Sequence, residues 1–222
     1  MKKIIVFASG TENGGGSGFE KLVENSKKGI LNGKIVAVIS NYKNGGVFEK
    51  AKRLKIKFEY FSGHYTKENY QQITNKYQPN LICLSGWLKL VKGLDSKKTI
   101  NIHPGLLPEL GGFGMYGIHV HEYAIELFHQ KKIKNTAVSM HFVTEKYDQG
   151  PVFFHFPVEI LKNDTPEILQ KRVNGIEHKF QSKISNMVLQ GKISWDGKKP
   201  KSLKVLKKYK YLRSRYKKHF LL

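Results

Sequence analysis

Short, unbroken apolar runs alternate with longer polar stretches through the first half of the chain. Lys3–Ala8, Lys34–Ser40, Phe58–Phe61, Leu81–Leu84 and Thr99–Ile102 read as buried strands. Between them, Phe19, Leu22 and Val23 share one face at helical spacing, and Gly46–Leu54 reads as a second helix. Thr66 is a good N-cap for a third helix over Lys67–Tyr77, which Pro79 closes. Strand–helix alternation of this kind predicts parallel βαβ units whose helices cover both faces of a sheet.

The pattern changes after residue 103. Residues 104–117 are rich in Gly and Pro and read as a long loop, followed by a helix over His119–Phe128. Thr136–Val143 and Val152–Ile160 are two long strand patterns joined around Asp148-Gln149-Gly150-Pro151, which predicts an antiparallel pair. Thr165 caps a helix that starts with Pro166 at its first position and runs to about Leu189. The expected fold class is therefore α/β, one sheet flanked by helices. Its N-terminal half is parallel and Rossmann-like, and its C-terminal half holds the antiparallel pair. A single domain over 1–197 is expected, followed by a basic C-terminal tail, 198–222. Leu203, Leu206, Tyr209, Leu212, Tyr216 and Phe220 in that tail lie close to a helical stripe. No internal repeat is present.

Composition narrows this picture. The chain has 222 residues, 40% hydrophobic and 25% charged, which is a globular balance with room for a real core. One cysteine, Cys83, excludes an intrachain disulfide and a cysteine-rich zinc module. The apolar run Ile4 to Ala8 is too short for a secretory h-region, and no run of 18 apolar residues exists. A soluble protein of a reducing compartment, the cytoplasm, is the expectation. The formal charge of +22 comes from 39 Lys and Arg against 17 Asp and Glu. Residues 198–222 hold eleven of those bases and no acid, and only four of the 39 are arginine, the side chain that phosphate and base reading usually recruits. A lysine-rich background and an attraction for anionic ligands both fit the excess.

Several residues carry candidate chemistry. Gly14-Gly15-Gly16-Ser17-Gly18 follows the first strand and opens the first helix, where backbone N–H groups make an anion site; a plain flexible turn is the other reading. Asn101 and His103 lie on one side of the fifth strand at its carboxyl end, where open α/β sheets place ligands. Histidine can shuttle a proton or donate to an oxyanion, and asparagine offers a donor that does not titrate. Each also fits a buried structural role. Asp148 in its turn reads alone as a backbone cap. Glu177 and His178 read as a helix face, and Trp87 with Leu88–Val91 as core or an apolar pocket. His119 and His121 lack a clear third metal ligand.

Together these segments resemble the folate-dependent formyltransferase family. The likeness runs from about residue 2 to residue 195. It is carried by Ile100-Asn101-Ile102-His103-Pro104-Gly105-Leu106-Leu107-Pro108, by His119-Val120-His121, by His141-Phe142-Val143-Thr144 and by Asp148-Gln149-Gly150-Pro151-Val152, in the family's order and rough spacing. The resemblance implies a catalytic trio of Asn101, His103 and Asp148. It also implies direct transfer of a formyl group from 10-formyltetrahydrofolate, a co-substrate, to the amine of glycinamide ribonucleotide in purine biosynthesis, with no metal. Asn101 and His103 would donate to the oxyanion. Asp148 would keep His103 charged and move the amine proton.

By the same resemblance, Gly16, Ser17 and Gly18 stand at the family's Gly-Ser-Asn phosphate loop, with the asparagine replaced. Lys67 stands where an arginine helps hold the phosphate, and Glu177 where a glutamate holds the ribose. Leu88-Lys89-Leu90-Val91, with Thr144, would line the folate pocket. The glycine-rich segment 111–117 makes the loop after His103 longer than the compact family form and is a candidate lid. A related transferase acting on methionyl-tRNA or an amino sugar nucleotide is one alternative, and a non-catalytic nucleic-acid-binding module that grips through the basic tail is another. The small-molecule partners are the two substrates, with no membrane. The assembly is expected to be a monomer or homodimer.

Overall fold

The computed structural model describes residues 1–206; the remainder of the predicted helical stripe, from Tyr209 on, lies outside the described residues. Seven strands form one sheet: β1 (Lys3–Phe7), β2 (Lys34–Ser40), β3 (Lys57–Tyr60), β4 (Leu81–Ser85), β5 (Thr99–His103), β6 (Asn135–Phe142) and β7 (Val152–Glu159). Their order is β3-β2-β1-β4-β5-β6-β7. β1 to β5 pair in parallel, and β6 runs antiparallel to both β5 and β7. This is the mixed architecture that the two halves of the pattern predict. Among the described residues no helix is long and apolar enough to cross a membrane.

Alternation along the strands divides the core in two. Ile4 and Val6 of β1, Val38 of β2 and Cys83 of β4 face α1 (Ser17–Lys27), α2 (Gly46–Leu54), α4 (His119–His129) and α5 (Pro166–Leu189). Ile5, Phe7, Ile39 and Ile82 face the opposite side, where α3 (Lys67–Tyr77) lays down Tyr70, Ile73 and Tyr77. Thr66 caps α3 by accepting from the Asn69 N–H, and Thr165 caps α5 by accepting from the Ile168 N–H. Burial pushes the Cys83 thiol up to about 12, so it is an inert core residue.

The strand order creates the crevice that matters. The chain leaves β1 toward β2 and β3, then returns on the other side of β1 as β4. Ligands of open α/β sheets bind at such a reversal, beyond the carboxyl ends of the strands. The loop after β1 and the loop after β4 meet there, where the Ser9 N–H donates to the Gly86 carbonyl at 2.9 Å.

The body continues past residue 197. Trp195 is buried against Phe142, a short 3-10 turn spans Pro200–Ser202, and Lys204 bridges Ser194 in an extended, non-helical conformation. Leu203 and Val205 pack on the main core. Their apolar side chains gain more by covering that core than by continuing a solvated helix.

Candidate active site

β5 ends in the site. Asn101 and His103 point to the same side of the sheet, and the antiparallel register sets His141 of β6 opposite Asn101 and Ser139 opposite His103. Asp148 enters from the turn between β6 and β7 in the left-handed conformation, φ 53°, a region aspartate and asparagine tolerate better than most residues. Its carboxylate faces three side chains at once. Asn101 Nδ2 lies 3.4 Å from Oδ1, His141 Nε2 lies 3.3 Å from Oδ1, and His103 Nδ1 lies 3.8 Å from Oδ2. The Gly112 N–H donates to Oδ2 at 3.0 Å.

Both histidines are held on their far side. The short contact between His103 Nε2 and the Leu110 carbonyl, 2.6 Å, requires a proton on Nε2. His141 Nδ1 likewise donates to the Phe142 carbonyl at 2.8 Å. The loop that presents Leu110 is itself fixed: Ser139 Oγ donates to the Gly105 carbonyl at 2.6 Å and accepts from the Leu107 N–H at 3.4 Å.

Electrostatics follow from this packing. Burial alone would raise the Asp148 carboxyl. The hydrogen bond from His141, the charges of His103 and His141 and the Gly112 N–H outweigh it and bring the carboxyl down to about 2. Burial holds the His103 imidazole below its ordinary value, with Asp148 and the Leu110 carbonyl pulling the other way. Asp148 favours the charged imidazole, but burial of the ring outweighs that attraction. The carboxylate is held ionised by a backbone donor and two imidazoles, whereas His103 sits at 3.8 Å, beyond a good hydrogen bond.

A cavity of about 350 Å³ opens beside Asp148, lined by Leu107, Pro108, Gly111, Gly112, Tyr147–Gly150 and Val152. The segment from Leu88 to Val91 is pinned nearby. Leu88 N–H donates to Ser9 Oγ at 3.0 Å, the Leu90 carbonyl accepts from the Tyr70 hydroxyl at 3.1 Å, and the Leu90 backbone also bonds the Tyr147 hydroxyl. Lys89 Nζ lies 5.6 Å from the Tyr65 ring centre. Thr144 caps its own turn with the Lys146 N–H. Among the described residues no cluster of three or more His, Cys, Asp or Glu is placed to hold a metal ion.

The matches to known proteins agree with this geometry. Residues 2–184 match the family model described as Formyl transferase. The chain belongs to the formyl transferase family. It is 34% identical over 211 residues to the chloroplastic phosphoribosylglycinamide formyltransferase of Arabidopsis thaliana, covering 87% of this chain and 68% of that protein. The phosphoribosylglycinamide formyltransferase of Bacillus subtilis is 28% identical over 199 residues, covering 85% of this chain and 95% of that one. The crystal structure of phosphoribosylglycinamide formyltransferase from Bacillus halodurans matches with a TM-score of 0.73 at 28% identity, covering 85% of this chain and 95% of that one. The chain spans about two thirds of the length of the plant relatives it matches.

In this formyl transferase the other expected positions are spread along the carboxyl edge of the sheet. Gly16 is the N-cap of α1 in the left-handed conformation, φ 75°, and Ser17 and Gly18 open the helix. Glu177 lies on α5, one turn before Gln181, whose amide reaches Gly18. Burial pushes the Glu177 carboxyl up to about 8. Lys67 opens α3 on the other side of the sheet; it is exposed, with its stem against Gly93. His141 is the residue that motif reading quotes without assigning a role. Its signal is the register: an antiparallel β5–β6 pair that places it opposite Asn101. His121 is buried behind His103, its Nδ1 without a hydrogen-bond partner, and burial lowers its imidazole to about 4.

Proposed function

We infer that this chain catalyses the reaction its relatives are named for, formyl transfer to the amine of glycinamide ribonucleotide. The observation that carries the reading is the convergence of Asn101, His103 and Asp148 beside a cavity, inside a match that spans residues 2–184. 10-Formyltetrahydrofolate, when bound, supplies the formyl carbonyl. The cavity of about 350 Å³, edged by Gly111–Gly112 and Tyr147–Gly150, is of a size for a flat heterocycle. The Leu88–Val91 segment, joined through the Leu90 backbone to Tyr147 at the cavity's edge, adds apolar surface beside it, and Lys89 supplies a cation for the co-substrate's acidic end.

The side chains divide the work. Asn101 Nδ2 presents a neutral N–H to the formyl oxygen. His103, when protonated, presents its charge through Nδ1–H, because Nε2–H is held by Leu110. Donors of this kind are commonly worth ~3–4 kcal/mol each as negative charge develops on oxygen. A carboxylate held near 2 is a weak base at neutral pH, so the first task of Asp148 is to favour a proton on His103 against the burial that lowers its imidazole. As the amine becomes positive, Asp148 relays its proton to the departing folate nitrogen through water, and no net proton is consumed. Gly16, Ser17 and Gly18 hold the acceptor's phosphate at the α1 N-terminus and Glu177 holds the ribose, while Lys67, across the sheet against Gly93, stands apart from that seat. A cytoplasmic location and a glycine-rich lid at 111–117 belong to the same reading. The described structure assigns no role to the remaining basic tail, and catalysis requires none.

An acceptor panel tests the assignment. With 10-formyltetrahydrofolate present, turnover is expected with glycinamide ribonucleotide and none with methionyl-tRNA or an amino sugar nucleotide. A preference for tRNA, with affinity falling by a log–log salt slope of about −0.7 to −0.9 per phosphate contact, would transfer the site to that substrate.

A further inference from the structure

The crevice between β1 and β4 contains polar atoms that the catalytic reading leaves unused. α1 begins there. Its first helical hydrogen bond runs from the Glu20 N–H to the Gly16 carbonyl at 3.0 Å, so the N–H groups of Ser17, Gly18 and Phe19 precede it and have no acceptor within the helix. A helix N-terminus alone selects only for negative charge. The neighbouring side chains are more specific.

Gly18 has no room for a side chain. A Cβ there would lie 2.2 Å from Ser85 Oγ and 3.1 Å from Gln181 Oε1. Because Cα–Cβ bonds tilt toward a helix's N-terminus, these two polar atoms crowd the end of α1 where the free N–H groups lie. Ser85 is the last residue of β4, at the reversal in strand order, and Gln181 comes from α5 one turn beyond Glu177. Gln181 is only 2% exposed; its Nε2 donates to Ser85 Oγ at 2.9 Å, and its Oε1 is buried without a hydrogen-bond partner.

An amide oxygen and nitrogen are told apart only by their partners. In either orientation the pair has a donor left over. With Nε2 on Ser85, the serine hydroxyl hydrogen is unused. With the amide turned, the Ser85 hydroxyl donates to Oε1 and a Gln181 N–H faces the helix end. The turned form leaves no buried atom unpaired once an anion accepts that N–H. An anion at the start of α1 would therefore complete the network.

We propose that Ser85 and Gln181 form part of the acceptor's phosphate seat, supplying from β4 and α5 the side-chain donor that position 18 cannot supply. Gly18 is then a specificity-determining residue, because its bare Cα lets the Ser85–Gln181 pair reach the anion. The acceptor's identity rests on the proposed function; the seat itself requires only a phosphate monoester.

Four proteins test this: the wild type, Ser85→Ala, Gly18→Asn and Gly18→Asn/Ser85→Ala. The dissociation constant of ribose 5-phosphate is measured by calorimetry, beside the KM for glycinamide ribonucleotide and for the folate. Losing the hydroxyl that holds the Gln181 amide turned toward the anion predicts an affinity for ribose 5-phosphate several-fold to about tenfold weaker in Ser85→Ala. The acceptor KM should rise in parallel, with the folate KM within about twofold. Gly18→Asn should weaken the affinity through its collision with Ser85, and the double variant should recover part of it, since the closer of the two collisions is relieved and an amide is restored. Ser85→Ala that melts lower yet binds ribose 5-phosphate like the wild type would reduce the pair to packing and overturn the proposal. So would losses that simply multiply in the double variant, or a wild type that does not bind the probe. A wild type that binds the probe through Ser85 yet never formylates the ribonucleotide would keep the seat and remove the assigned reaction.

Discussion

Replacing Asp148 with asparagine isolates one charge with little change of shape. Asparagine also tolerates the left-handed backbone at φ 53°, and its amide oxygen can keep the Gly112 N–H bond at 3.0 Å. What disappears is the negative charge beside His103 and His141. The Asp148 carboxyl falls from 3.8 to about 2 on folding. At 1.36 kcal/mol per pKa unit, that difference is worth about 2 kcal/mol of folding stability. The sign follows from the protons bound. Between pH 2 and pH 4 the unfolded chain holds more protons at this position than the native one. The contribution is therefore complete above about pH 4 and fades as the pH falls through about 2. Urea unfolding of both proteins from pH 7 to pH 3 should show Asp148→Asn less stable by about 2 kcal/mol at neutral pH, with the gap narrowing at the acid end. With no carboxylate to hold a proton on His103, kcat should drop about 10²- to 10⁴-fold. A constant stability gap across the pH range, or a variant that keeps kcat within about threefold, would refute the charge-pairing argument.

Three further outcomes follow from other parts of the molecule. Glu177 is raised to about 8, so wild-type stability should fall as the pH rises from about 5 to 8, and Glu177→Gln should flatten that slope while raising the acceptor KM; a parallel pH profile in the variant would count against a half-buried, neutral Glu177. Phe113 is 90% exposed in the glycine-rich loop, with its ring 6.1 Å from that of Tyr147, a cavity-lining residue. Phe113→Ala should raise the folate KM several-fold and leave the melting temperature unchanged, whereas an unchanged KM would remove the lid reading of 111–117. Ending the chain at residue 206 should leave both stability and turnover intact. Ending it at 197 strips Leu203 and Val205 from the core and should cost about 1–3 kcal/mol by denaturant unfolding; equal stability of the two would contradict their packing role.

The local elements were legible because each carries its own punctuation. Thr66 and Thr165 cap helices that start where expected, and the apolar runs of β1, β2 and β4 are buried strands. Small offsets, such as β3 at Lys57–Tyr60 against an expected Phe58–Phe61, arise at ends where hydrogen bonding fades. Asn101 and His103 could be placed on one side of a strand end from alternation alone. The contact with His141 could not, because it depends on which strands pair and in what register. The same holds for Gly18. Its composition suggested a loose anion loop, but the reason for glycine is a collision with Ser85 and Gln181, residues 67 and 163 positions away. The fold of residues 198–205 was hidden by charge: eight residues with four lysines look like a solvated tail, yet Leu203 and Val205 are enough to bring them back.

The central claim is that Asn101, His103 and Asp148 together pass a formyl group to the amine of glycinamide ribonucleotide. The most direct measurement mixes enzyme, ribonucleotide and 10-formyltetrahydrofolate and follows the gain of one formyl group on the ribonucleotide by mass spectrometry, for the wild type and for His103→Ala. The account predicts rapid formylation by the wild type, and loss of at least about 10²-fold in a variant whose unfolding curve shows it folded. Formylation at an undiminished rate in His103→Ala, or its absence in a wild type that binds both compounds, would contradict it.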